Sequence, residues 1–140
     1  MYEAMDAVGM PLKGEASALH GLRILIVEDS YVVARAIQCL LEEMGMAVVG
    51  PVATSIDAER LLIERSPELA IVDIHLKGEE SFNLIDRLHE AGIPVLAMSG
   101  LATHTRLANA ATLLQKPFSG SDLLAALDGI FVSSPPAATS

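Results

Sequence analysis

The chain has a single cysteine, Cys39, among its 140 residues. An intrachain disulfide is therefore excluded, and a reducing compartment is the natural setting. Cys39 sits among apolar neighbours in a helical stretch and reads as a buried structural thiol. Aromatic residues make up only 4% of the chain and tryptophan is missing. A core must then come from Leu, Ile, Val, Ala and Met, and the hydrophobic share of 51% supplies it. Positive charge is scarce, with 9 Lys and Arg against 18 Asp and Glu and a net charge of −9. That balance argues against nucleic acid or an anionic membrane as the main partner. No apolar run approaches the ~18 residues of a membrane span. The N-terminus lacks the basic segment and apolar core of a secretory signal. These absences predict a cytoplasmic protein of one domain, large enough to bury a core without disulfides or metals.

What is present is an alternation of short apolar runs and helical segments, the pattern of βαβ units around a parallel sheet. Strands are predicted at about 22–27, 46–51, 69–73, 94–98 and 111–115 from their apolar, β-branched runs. The first helix, capped by Asp29 or Ser30, carries Val33, Ile37, Leu40, Leu41 and Met44 on one face and ends at Gly45. A second helix runs from about Ile56 to Arg65 with Ser55 as its cap. The Gly-containing loop "HLKGEE" leads to a third at about 80–90, with Phe82, Ile85 and Leu88 inward. A last helix at about 120–131, capped by Ser119 or Ser121, carries Leu123, Leu124, Leu127 and Ile130. Crossovers between parallel strands need about a dozen residues, so the stretch from Gly100 to Ala110 holds only a short or frayed fourth helix. Right-handed crossovers then give a doubly wound sheet with helices on both faces; the flavodoxin-like order 2-1-3-4-5, a common one for such sheets, is the order expected here. Residues 1–20 form an N-terminal extension, 21–131 the domain, and 132–140, all Ser, Pro, Ala, Thr and Val, a flexible tail.

Four strings follow predicted strands: Glu28-Asp29, Asp73, Ser99 and Lys116-Pro117. In an open parallel sheet the carboxyl ends of the strands share one rim, where ligands bind. Taken singly, each string has an ordinary explanation as a helix cap or turn residue. Jointly they place three carboxylates, a hydroxyl and an ammonium on that rim. Clustered carboxylates stay ionised only beside a strong cation, and a hard dication such as Mg²⁺ (or Mn²⁺) takes oxygen ligands of this kind. Phosphoryl transfer needs positioning and neutralisation of spreading charge. Asp73 is then the nucleophile, Glu28 and Asp29 hold the metal, and Lys116 and Ser99 meet phosphoryl oxygens. His20, His75, His89 and His104 show no metal-ligand spacing.

These residues resemble the receiver domain of bacterial two-component response regulators, over about 21–131 of the chain by the doubly wound pattern. The acidic pair Glu28-Asp29, the phosphoacceptor position Asp73, the Ser/Thr position Ser99 and the Lys-Pro pair Lys116-Pro117 all match. The resemblance implies a metal ligand in the backbone carbonyl of His75, a cis peptide bond at Lys116-Pro117, and a switch region of Ser99, Leu101 and Leu113. Three departures stand out. Lys77-Gly78 occupies a loop that often holds proline, Leu113 replaces the usual aromatic residue, and the segment from Ser99 to Lys116 is short. "GIPVLAMSGL" is similar to a divergent branch of stand-alone receivers whose fourth strand ends in Phe-Ala-Thr-Gly-Tyr, with Leu101 at the Tyr position.

The function so implied is a phosphoacceptor module of a phosphorelay. It takes a phosphoryl group from a histidine kinase or histidine phosphotransfer protein and signals by contact with a downstream protein, as a monomer or weak homodimer. It is not an enzyme beyond its own phosphorylation and dephosphorylation, and there is no room for an effector domain. A small Mg²⁺-dependent phosphohydrolase with an aspartyl-phosphate intermediate is the alternative, although His75 stands where the haloacid-dehalogenase type has a second Asp. A flavin module of the same topology is a third, disfavoured because Glu28-Asp29 would repel the flavin phosphate.

Overall fold

A computed structural model describes residues 19–100 and 109–133, with side chains through residue 130. Along the chain run β1 (Arg23–Val27), α1 (Tyr31–Glu43), β2 (Ala47–Val52), α2 (Ser55–Arg65) and β3 (Leu69–Asp73). They are followed by β4 (His75–Leu76), β5 (Glu79–Glu80), α3 (Phe82–Glu90), β6 (Val95–Ser99), β7 (Thr112–Gln115) and α4 (Gly120–Ser133). Most of the predicted fourth-helix stretch, Leu101 included, lies outside the described residues, as do residues 1–18 and 134–140.

The main sheet is parallel, in the order β2-β1-β3-β6-β7. Counted along the chain, its five strands stand 2-1-3-4-5, the expected flavodoxin-like order. Successive side chains on a strand face opposite ways, and the two cores divide accordingly. Ile24, Ile26, Leu69, Ile71, Leu96 and Met98 pack with Ile37 and Leu41 of α1 and Leu123, Leu127 and Ile130 of α4. Leu25, Val27, Ala70, Val72, Val95 and Ala97 pack with Ala58 of α2 and Leu84, Ile85 and Leu88 of α3. Both faces of β3 and β6 are covered, so every residue of "LAIVD" and "VLAMS" is buried. Strands buried on both faces read as continuous apolar runs. β7 lies at the sheet's edge and is only partly buried, and Leu113 on it is 40% exposed. Leu19 is buried in the α1 side of the core, so packing begins before Gly21.

Several expectations are corrected. Cys39 is exposed: at about 100° per residue it lies some 200° round the helix from Ile37, on the face turned from the sheet. Met44 is the C-cap of α1 and is exposed. The cap of α2 is Thr54, whose hydroxyl accepts from the Asp57 amide at 3.2 Å. A cap side chain reaches the second or third helical amide, and with Ser55 already helical that geometry belongs to Thr54. The loop "HLKGEE" is a small antiparallel hairpin, with His75 opposite Glu80 and Leu76 opposite Glu79. Glu80 is thereby taken from α3, which starts at Phe82. Peptide bonds 50–51 and 116–117 are cis, the second as the resemblance implies.

Candidate phosphoacceptor and cation site

The carboxyl ends of β1, β3, β6 and β7 bring the four strings to one rim. One carboxylate oxygen from each of Glu28, Asp29 and Asp73 lies within 4.8 Å of the other two. Glu28 and Asp73 are buried and Asp29 is half-buried. Lys116, delivered by the edge strand, crosses to both buried groups: Nζ lies 2.9 Å from Glu28 Oε1 and 2.9 Å from Asp73 Oδ2. Its own amide donates to the Ser99 carbonyl at 2.8 Å. Ser99 ends β6, fully buried, opposite Gln115.

Each carboxylate is also held by main-chain donors. The Ser30 amide donates to Glu28 Oε2 at 3.0 Å, and the Ser30 side chain caps α1 through the Val33 amide at 3.3 Å. The His75 amide donates to Asp73 Oδ1 at 3.1 Å. The Lys77 amide donates to Asp29 Oδ2 at 2.7 Å. Asp73 is thus gripped on both oxygens, one by an ammonium and one by a peptide, which fixes the plane of its carboxylate. The His75 ring leans across the hairpin instead, with Nδ1 3.4 Å from Glu80 Oε2.

Burial pushes the Glu28 carboxyl above its usual range, and the neighbouring Asp73 charge adds to that; the Ser30 amide and Lys116 oppose it. For Lys116, burial acts to lower the ammonium, but its bonds to Asp73 and Glu28 outweigh burial and raise it. One ammonium facing three carboxylates leaves the rim net negative.

Sequence reasoning brought Glu28, Asp29, Asp73, Ser99 and Lys116 to this rim and placed His75 beside them. It missed Glu79 and Ser81. Glu79 Oε2 accepts from the Ser55 amide at 3.0 Å, tying the hairpin to the start of α2. The buried Ser81 hydroxyl donates to the Asp73 carbonyl at 2.7 Å and to the Ile74 carbonyl at 3.2 Å. The legible signal was Lys77-Gly78 between short alternating runs, a two-residue hairpin turn.

A sequence profile described as the response regulator receiver domain matches residues 24–128. The transcription regulator BvgA of Bordetella pertussis is 31% identical over 80 residues, covering 56% of this chain and 38% of that protein. The transcriptional regulatory protein PdtaR of Mycobacterium tuberculosis is 28% identical over 120 residues, covering 81% of this chain and 58% of that protein. The chain therefore spans less than two thirds of the length of either regulator. Among solved structures, the receiver domain of the PhyR response regulator from Erythrobacter litoralis superposes with a TM-score of 0.75 at 21% identity. That superposition covers 88% of this chain and 98% of the PhyR domain, and it speaks to the fold. With the profile matching most of its length, the five-stranded order and the acidic rim in place, this chain belongs to the response regulator receiver domain family.

Proposed function

We propose that this receiver accepts a phosphoryl group on Asp73 from a phosphohistidine donor, either a histidine kinase or a histidine phosphotransfer protein, and passes the signal on by contact with a downstream protein. The observation that carries this reading is the double grip on Asp73, between the Lys116 ammonium and the His75 amide, beside two further carboxylates. The Asp73 carboxylate attacks phosphorus, the P–N bond breaks, and its electron pair stays on the donor imidazole. Lys116 then exchanges its bond to Asp73 for one to a phosphoryl oxygen, and the Ser99 hydroxyl at the end of β6 donates to another.

The donor set fits a hard dication. Three carboxylates facing one ammonium are under-neutralised, and burial penalises the charge on Glu28. Mg²⁺ binds through one or two carboxylates, waters and phosphate oxygens. Glu28, Asp29, Asp73 and the His75 carbonyl are the residues proposed to hold it, with Mn²⁺ as a substitute. When bound, it would neutralise charge on the transferring phosphoryl group.

The test is incubation of wild type and Asp73→Asn with acetyl phosphate and Mg²⁺, followed by intact-mass measurement. Wild type gains the mass of one phosphoryl group and the variant gains none. Equal labelling of both, or steady turnover of a generic phosphate ester, would remove the proposal.

A further inference from the structure

The hairpin of β4 and β5 is fastened at both ends. At its base the Ser81 hydroxyl and amide bind the carbonyls of Asp73 and Ile74. On its outer side Glu79 holds the first amide of α2. At its tip the Lys77 amide reaches Asp29, 48 residues away in sequence, in the shortest of the three amide–carboxylate bonds at the rim. Asp29 is the least buried of the three acids and its other described neighbours impose no comparable hold.

We propose that the peptide N–H of Lys77 is a positioning donor for the divalent-cation site, orienting the Asp29 carboxylate, and that Glu79 keeps this donor in place by anchoring the hairpin to α2. The inference rests on the cation-binding reading above. A carboxylate with one oxygen committed to a fixed amide presents the other in a set direction, so little side-chain freedom remains to be lost on binding. Partners that orient a metal ligand in this way typically contribute about 10–100-fold in metal affinity.

The backbone of the turn allows a direct test. Of the two central residues only Gly78 has a positive φ, +83°, the pattern of a type II turn, which accepts proline at its first central position. Lys77→Pro removes the N–H while keeping the turn; Lys77→Ala removes the ammonium while keeping the N–H. Binding of Mn²⁺ is read from the loss of the free-ion electron paramagnetic resonance signal, with Mg²⁺ competition and cation-free melting alongside. The expected result is affinity about tenfold or more weaker for Lys77→Pro and within about twofold of wild type for Lys77→Ala. Glu79→Ala weakens affinity in the same direction, and Glu79→Gln, which keeps an acceptor for Ser55, restores it. This pair decides the matter if Lys77→Pro does not fold. Wild-type affinity in Lys77→Pro, or equal losses in the Pro and Ala variants, would overturn the inference. Failure of wild type to bind Mn²⁺ at all would instead strike the cation-binding reading itself.

Discussion

Lys116 Nζ lies 2.9 Å from Asp73 Oδ2, across a gap that no main-chain register closes directly, because β6 stands between β7 and β3. The same ammonium is 2.9 Å from Glu28 Oε1, so one side chain from the sheet's edge neutralises the two most buried carboxylates at its centre. Glu28 and Asp73 side chains are 1% and 5% exposed, against 25% for Lys116.

Removing that ammonium leaves two buried acids facing one another. Lys116→Met is expected to destabilise the cation-free protein by about 3 kcal/mol, the lower end for a broken buried pair because the lysine keeps some contact with water. Urea unfolding measures this. Added Mg²⁺ should recover part of the loss in the variant, since it supplies positive charge to the same carboxylates. A variant as stable as wild type would show that the pair contributes nothing net.

The pH dependence of stability follows from Glu28. Its carboxyl titrates above the usual 4.5 because burial penalises the charged form. Between the unfolded value and that raised folded value, the native state binds the proton more strongly than the unfolded chain does. Stability therefore falls as pH rises through this window. Glu28→Gln has no such titration, so its unfolding midpoint without cation should gain on wild type over the same interval, and the gain should shrink when Mg²⁺ is present. Lys116 acts in the same sense in a higher window: its contribution is complete below 10.5 and is lost as pH rises through its raised folded value. Urea midpoints at a series of pH values test the fall in each window.

Ser81 ties the Asp73 peptide to the start of α3. Its hydroxyl is buried, 2.7 Å from the Asp73 carbonyl. Ser81→Ala removes a donor without creating a large void, and a lost buried hydrogen bond costs about 1–2 kcal/mol. The loss should appear in urea unfolding, with faster amide exchange across the hairpin as its local sign. Unchanged exchange there would mean that the Glu79 and Lys77 contacts hold the hairpin alone.

The contrast between what could and could not be read in advance has a physical basis. Apolar runs such as "LAIVD" and "VLAMS" are legible because strands buried on both faces need unbroken hydrophobic sequence. Glu28, Asp73 and Lys116 were legible because a polar residue ending such a run must sit on the rim of a parallel sheet. The Lys77 and His75 contacts were not, since a main-chain N–H is the same donor in every residue except proline and leaves no mark in side-chain type. Glu79 was hidden for a related reason: its partner is the amide of Ser55, 24 residues earlier. Cys39 misled because its sequence neighbours are apolar, whereas burial on α1 is set by the residues three and four positions away.

The end of α2 offers a prediction independent of the acidic rim. Ser66 caps that helix in the left-handed conformation, at φ 48° and ψ 62°. Pro67 follows it, and the Ser66 carbonyl accepts from Arg23 Nη2 at 2.6 Å, joining the helix end to the start of β1. A side chain with a Cβ is strained at that φ, whereas glycine is not, and the contact to Arg23 uses only the backbone. Ser66→Gly should therefore stabilise the fold by about 0.5–1 kcal/mol, the relief exceeding the extra freedom of the unfolded chain. Ser66→Ala, which keeps a Cβ, should show no such gain. Thermal unfolding of the two variants beside wild type separates strain relief from loss of the hydroxyl: a gain in both would assign the effect to the hydroxyl, and a gain in neither would mean that the Arg23 contact, rather than the residue type, sets the conformation.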